Sequence, residues 1–419
     1  MPVVYERCCG LDVHKATISA CVLVFKNGEN EVRHRQFATH VADLIRLRVW
    51  LKSQKVTQVA MESTGVYWKP VWNELHRHLG LLVVNPLWVK QRRGHKTDKA
   101  DAEFIAEQLQ TDSLRSSFIP EVEQRELRDL TRRRENLMQD RNRLANEIHR
   151  VLEDANIKLS CVATDILGGT GQAILRAIVK GHTDPAWLAD YAKTRLRSKK
   201  KELELVLRGH ITDHHRWMLT HLLEELDFKD GLLDGLEEKI QKRVEPDAET
   251  IALLETIPGV GTRAAWTILS EIGNNVEVFG SAGQLASWAG LAPGNYQSAG
   301  QRRYVATLKG NRHIRRLMIQ CAWAATRVKN SYLGAFFRRV LARRGHLKAL
   351  VAVAHKLILI VFQILKKREA YRELGANYYD RKNIAKVAAR TVFRLEQLGY
   401  EVVLTPKACL AQTVESTEG

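Results

Sequence analysis

None of the six cysteines (Cys8, Cys9, Cys21, Cys161, Cys321 and Cys409) pairs with another as C-x-x-C, and no cysteine–histidine cluster repeats at zinc spacing. That excludes a zinc module and leaves the thiols as small buried hydrophobes of a reducing compartment. The apolar core of a signal peptide is missing too, because residues 1–9 carry Glu6 and Arg7. The longest apolar stretch, Leu347 to Leu365, is interrupted by His355 and Lys356, so a buried helix explains it better than a membrane span. No internal repeat or low-complexity tract is present. The expectation is a soluble, cytoplasmic protein with no membrane partner. Acidic charge is also in short supply: 65 Lys+Arg against 47 Asp+Glu leave +18, with a pI near 9.7. Such a balance favours a polyanionic partner, since each basic contact with phosphate releases condensed counterions. Charge alone does not separate DNA, RNA and an acidic membrane.

What is present suffices for two or three domains, each with its own core: 419 residues, 45% of them hydrophobic. Residues 1–115 alternate strand and helix signals, with strands within Cys8 to Phe25, Val56 to Met61 and Leu81 to Val84, and a helix across Val66 to Leu79. This is the mixed pattern of a compact α/β domain. Residues 116–245 read as long helices. Leu130, Leu137, Leu144 and Val151 recur every seven residues, flanked by Leu127 and Ile148, as in a coiled-coil seam. Arg134 and Arg141 occupy two core-type slots of that seam and limit its stability. The run Arg132-Arg133-Arg134 is either a nucleic-acid contact or a solvated face. Gly168-Gly169 marks a break. Residues 246–370 form a second, mostly helical globular unit, and residues 371–419 a basic appendage.

Four carboxylates stand out by placement. Asp12 ends the first strand in Gly10-Leu11-Asp12-Val13-His14-Lys15. Glu62 follows Val59-Ala60-Met61. Asp98 and Asp101 open a helix in Lys96-Thr97-Asp98-Lys99-Ala100-Asp101, and residues three apart share a helical face. Each alone reads equally as a cap, a surface charge or half of an ion pair. As an ordered set they suit phosphodiester chemistry. Mg²⁺ takes oxygen ligands, and two ions about 4 Å apart activate the attacking oxygen and stabilise the leaving one. Clustered carboxylates repel one another, and a cation holds them ionised.

The phrases GLDVHK, ESTGVYW and KTDKADA resemble the N-terminal domain of the insertion-sequence 110 family of transposases. That resemblance implies a RuvC-like, RNase H-like fold whose Asp-Glu-Asp-Asp set is Asp12, Glu62, Asp98 and Asp101, with Mg²⁺ as cofactor.

A second segment, Ala289 to Arg303, is a Gly/Pro-rich loop that ends in a basic stretch, followed by Lys309-Gly310-Asn311-Arg312. Ser298 reads either as an ordinary turn residue or as a nucleophile whose phosphate is clamped by Arg302, Arg303, Lys309 and Arg312. The region resembles the C-terminal transposase domain of the same family, which implies that Ser298 is its nucleophilic serine. The family pattern has Gly directly after that serine, whereas Ala299 stands before Gly300 here, and Tyr296 and Ser287 remain rival nucleophiles. Ile257-Pro258-Gly259-Val260-Gly261 resembles a helix-hairpin-helix turn. Gly259 and Gly261 would let backbone N–H groups approach a phosphate, reinforced by Arg263, unless the turn is an ordinary connector.

The family resemblance implies a composite site of the two domains, joining of Ser298 to a DNA end, and rejoining without net hydrolysis. It also implies donor and target DNA, a noncoding guide RNA encoded in the element, and a homo-oligomer, dimer or tetramer, assembled through the middle helices. The rivals are a RuvC-like metal nuclease or Holliday-junction resolvase without serine chemistry, a non-catalytic nucleic-acid-binding protein, and a basic helical scaffold.

Overall fold

The computed structural model describes residues 2–63, 65–84, 97–294, 296–298, 301–303, 307 and 309–405, with the side chains of 296–298 and 301–303 outside that description. The chain divides into two compact units, Met1–Pro120 and Glu121–Gly419.

The first unit contains β1 (Arg7–Val13), β2 (Thr17–Lys26), β3 (Glu29–Ala38), α1 (Val41–Ser53), β4 (Gln58–Glu62), α2 (Trp68–Leu75), β5 (Gly80–Val84) and α3 (Asp98–Gln110). The sheet order is β3-β2-β1-β4-β5. The first three strands form an antiparallel meander, while β4 and β5 run parallel to β1. Alternation sorts the side chains of these strands onto two faces. Leu11, Val13, Ile18, Val22, Val59, Met61 and Val83 pack against Leu44, Leu47 and Leu51 of α1 and Val71 and Leu75 of α2. Cys8, Cys21, Leu23 and Ala60 take the opposite face, against Ala102, Ile105, Ala106 and Leu109 of α3. The mixed α/β reading of this region therefore stands, with β3 and α1 added. β3 is an edge strand with Glu31, Arg33 and Arg35 along it, a charge pattern that hides its strand character and blocks edge pairing.

Cys8, Cys9, Cys21 and Cys321 are buried, as expected of small hydrophobes, and burial pushes the thiols of Cys8, Cys21 and Cys321 up to about 12. Cys161 departs from that expectation: it ends a short 3-10 turn, Leu159–Cys161, and is exposed. Cys409 lies outside the described residues.

Among its described residues the second unit is helical apart from one small hairpin. It comprises α4 (Val122–Asp154), α5 (Gly169–Val179), α6 (Pro185–Ala189), α7 (Lys200–Val206), α8 (Asp213–Val244), α9 (Ala248–Glu255), α10 (Thr262–Ile272), α11 (Ala282–Trp288), β6 (Tyr296–Ser298) and β7 (Gln301–Arg303). There follow α12 (Arg312–Thr326), α13 (Tyr332–Arg344), α14 (His346–Lys367), α15 (Tyr378–Arg381) and α16 (Ile384–Glu396). The expected break at Gly168-Gly169 is the start of α5, where Gly168 is the N-cap.

The heptad seam of α4 is taken up within the chain by α8, which runs antiparallel to it. Leu127, Leu137, Leu144, Ile148 and Leu152 of α4 are buried, as are Leu226, Leu233 and Ile240 of α8, whereas Leu130 and Val151 are only partly so. The two arginines in core-type slots are satisfied by acids of the facing helix. Arg134 Nε donates to Glu237 at 2.7 Å, and Arg141 Nε to Asp230 at 2.7 Å. Their stems cover apolar surface while the charges pair at the rim. This corrects the basic-run reading for two of its three members: Arg132 and Arg134 are committed to internal carboxylates, and Arg133 alone is exposed.

α14 is long and apolar enough to cross a membrane. Val353, Ala354, Leu357, Ile358 and Val361 are fully buried against neighbouring helices of the unit, as expected of a core helix.

Candidate active site

Asp12 lies one residue from the end of β1 and Glu62 ends β4. The parallel register sets Leu11 beside Met61, so the next residues along, Asp12 and Glu62, project from the same face at the carboxyl ends of adjacent strands. α3 crosses that face directly over β1. A Cβ on Gly10 would collide with the backbone of Ala102 and Ala106, so only glycine lets the helix come this close. The approach carries the first turn of α3, with Asp98 and Asp101, to Asp12. Thr97 caps the helix by accepting from the Ala100 N–H at 3.3 Å.

The result is a compact donor set. His14 Nε2 lies 3.1 Å from Asp12 Oδ2 and 3.6 Å from Asp98 Oδ1. One ligand atom from each of Asp12, His14 and Asp98 falls within 4.8 Å of the others. Asp12 is only 9% exposed. Burial pushes its carboxyl above the usual range, Asp98 and Asp101 push the same way, and the charge and hydrogen bond of His14 oppose them. Asp101 thus shares the electrostatics of the site, and Glu62 joins it by register. His14 is the residue that sequence reading missed. Its signal was the strand period: two positions after Asp12, it emerges on the same side. Thr64, which follows Glu62 in ESTGVYW, and Lys96, which precedes Asp98 in KTDKADA, lie outside the described residues.

In the second unit Ser298 sits on β6, opposite Gln301, and Tyr296 opposite Arg303. Ala299 and Gly300 lie outside the described residues, as do the side chains of Tyr296, Ser298, Arg302 and Arg303. The base of the segment that carries this hairpin is well defined. Before it, the N–H groups of Leu291 and Ala292 both donate to the Ala286 carbonyl, at 2.9 and 3.1 Å. After it, the Asn311 N–H donates to the Trp288 carbonyl at 2.9 Å, and Gly310 is packed against the backbone of Trp288 and Gly290. Both ends of the segment therefore meet at one point.

That point rests on a buried charge. Asn311 Oδ1 caps α12 by accepting from the N–H groups of His313 at 3.0 Å and Ile314 at 3.3 Å, while its Nδ2 donates to Glu271 Oε2 at 2.6 Å. Glu271, on α10, is 0% exposed. Arg132 donates to both of its oxygens, at 2.6 and 2.9 Å, and Arg128 Nε lies 3.3 Å away. Burial alone would push the Glu271 carboxyl up. The Arg132 hydrogen bond, the charges of Arg128 and Arg132 and the Asn311 bond outweigh it, and the carboxyl stays below the usual glutamate range. None of these four supports was foreseen from sequence.

The remaining candidates are spread over the same unit. Gly259 has φ +86° and its Cα faces the backbone of Cys321 and Ala325, so its missing side chain serves close packing on α12. Gly261 is the N-cap of α10, with open space where a Cβ would stand. Arg263 donates to both carboxylate oxygens of Glu237 at 2.8 Å. Lys309 and Arg312 are exposed beside Asn311, and Ser287 lies on α11.

Comparison with known proteins adds two matched segments. Residues 9–157 match the DEDD transposase family typified by IS110, and residues 251–338 match the transposases of the IS116/IS110/IS902 family. Among relatives, a probable family 20 transposase of Pseudomonas aeruginosa is 28% identical over 321 residues, covering 75% of this chain and 85% of the relative. The transposase for insertion sequence element IS1111A of Coxiella burnetii is 27% identical, covering 81% and 84%. A pilin gene-inverting protein of Moraxella lacunata is 22% identical, covering 86% and 96%.

Proposed function

This chain belongs to the IS110 family of transposases, and from that premise we propose that it excises and inserts a DNA element with two chemical groups, a metal-binding carboxylate set and a nucleophilic serine. Family membership makes it a DNA recombinase. The observation that carries the finer reading is the meeting of Asp12, His14 and Asp98 within 4.8 Å at the carboxyl ends of parallel strands. The sheet order β3-β2-β1-β4-β5, an antiparallel meander joined to two parallel strands, supports an RNase H-like, RuvC-like domain.

The donor set fits a hard divalent cation. Carboxylate oxygens dominate it, and a cation relieves what raises Asp12, burial first and then the charges of Asp98 and Asp101. Asp12, Glu62, Asp98 and Asp101 would hold Mg²⁺. When bound, the ion supplies Lewis-acid stabilisation of charge on the phosphate oxygens. His14 orients Asp12 through its 3.1 Å contact. The Ser298 hydroxyl oxygen bonds to phosphorus as the bond from phosphorus to a sugar oxygen breaks. The serine proton is lost and the released sugar oxygen gains one. Attack by another sugar hydroxyl on the serine ester then reverses the exchange, so phosphodiester bonds are conserved and no water is consumed. Arg302, Arg303, Lys309 and Arg312 neutralise the phosphate, and the open helix start at Gly261 offers N–H groups to another. Arg263 is shared with Glu237, and Gly259 acts through packing.

The reading extends to an element-encoded guide RNA, to a dimer or tetramer and to a cytoplasmic location. Its support there is the family and the +18 charge. The test of the metal site is strand cleavage of donor DNA by Asp12→Asn. Loss by roughly a thousandfold or more, several kcal/mol of lost stabilisation, with DNA binding retained, is expected. Cleavage at the wild-type rate, or cleavage indifferent to a chelator, would remove the metal site from the account.

A further inference from the structure

The appendage that follows α14 carries a helix whose basic side chains have no carboxylate partner among the described residues. On α16, Lys386, Arg390 and Arg394 recur every four residues, with Lys382 two residues before the helix, and all four are exposed. At about 1.5 Å rise per residue Lys386, Arg390 and Arg394 stand about 6 Å apart along about 12 Å of α16, on one side, and Lys382 precedes the helix. Ala388 and Val392, which are half-buried, occupy the opposite side, and Val387 lies at the edge of the stripe. Between Lys382 and Leu398 the sole acid is Glu396. Among the described residues no carboxylate pairs with any of the four, although the neighbouring Arg339 pairs with Asp380 at 3.8 Å and Arg381 donates to the Leu374 carbonyl. Like charges four apart destabilise a helix by about 0.2–0.5 kcal/mol per pair. Two such pairs in a row, Lys386–Arg390 and Arg390–Arg394, with no carboxylate partner among the described residues are a disadvantage that an external anion offsets.

We propose that this stripe is a binding site for the sugar–phosphate backbone of duplex DNA, independent of base sequence. Over about 12 Å, duplex DNA presents roughly seven phosphates, ample for these cations. Phe393, 61% exposed, lies within the basic face, where its ring can pack on a sugar. A helix lying on a membrane needs its apolar face free. Here Ala388 and Val392, in the middle of that face, are half-buried, and the row of cations matches a row of phosphates, so charge complementarity favours DNA. The site lies beyond both segments matched to the family, which end at residues 157 and 338. It rests on the recombinase reading only in taking DNA as the polyanion.

The test is equilibrium binding of the full chain to a short duplex of arbitrary sequence across a salt series. Lys386→Gln and Arg390→Gln are each expected to reduce the slope of log affinity against log salt by about 0.9, and the fourfold Gln variant by up to roughly four times that. The single variants stand by themselves should the fourfold variant fold poorly. An unchanged slope in all of them overturns the proposal. So does a loss seen only on an RNA hairpin, or only on phosphatidylserine vesicles. Binding is scored on uncleaved duplex, so a failed stripe leaves strand cleavage intact, and failed cleavage leaves the slope readable.

Discussion

The acid site and the serine segment are held in place by different physics. Asp12 and Glu62 are fixed by strand register, and Asp98 and Asp101 by a helix packed on bare backbone at Gly10. The positions follow from main-chain geometry, with few side-chain bonds. The Ser298 segment is instead pinned at its base by side chains: Arg128 and Arg132 on α4, Glu271 on α10 and Asn311 before α12. A site built on register tolerates change around it and fails when the backbone moves. A site hung from one buried charge fails when that charge goes.

Glu271→Gln should therefore give the largest loss of stability. It leaves Arg128 and Arg132 without their anion, and breaking such a buried pair costs about 3–5 kcal/mol, to be read by chemical denaturation. The pH dependence follows from the sign of the shift. The folded carboxyl lies below its unfolded value, so its contribution is present above the usual glutamate range and is lost as pH falls through the depressed value. The gap between wild type and variant should narrow in acid, and a gap that widens there would contradict the assignment. Gly10→Ala acts on the other region. It must push α3 away, at about 1–3 kcal/mol, and should slow cleavage as well as lower stability. A variant stable and fully active would show that the helix approach does not position the acids. Smallest is the coupling of Arg141 and Asp230, half-exposed at the helix rim, where a double-mutant cycle should return about 0.2–1 kcal/mol.

The same contrast explains what could be read from the sequence. The acid motifs sit on regular elements, so alternation along β1 and the three-residue spacing on α3 placed Asp12, Asp98 and Asp101 from local pattern alone. His14 was equally legible from that alternation. The heptads of α4 announced a seam, but the partner α8 begins 59 residues after α4 ends, and nothing local tied Arg134 to Glu237 or Arg141 to Asp230. Glu271 looked like an ordinary helical acid in Ile268-Leu269-Ser270-Glu271-Ile272. Its apolar neighbours were the only hint of burial, and its partners are 139 and 40 residues away. Asn311 was visible as part of a motif but not as the strut between a buried carboxylate and a helix cap.

The measurement that bears most directly on the two-group account is trapping of protein-linked DNA on a denaturing gel, with wild type, Ser298→Ala, Tyr296→Phe and Asp12→Asn on matched donor and target DNA. The account predicts an adduct for wild type and Tyr296→Phe and none for Ser298→Ala or Asp12→Asn. Cleavage by Ser298→Ala with no adduct in any lane would contradict it and leave a metal nuclease of the RuvC kind.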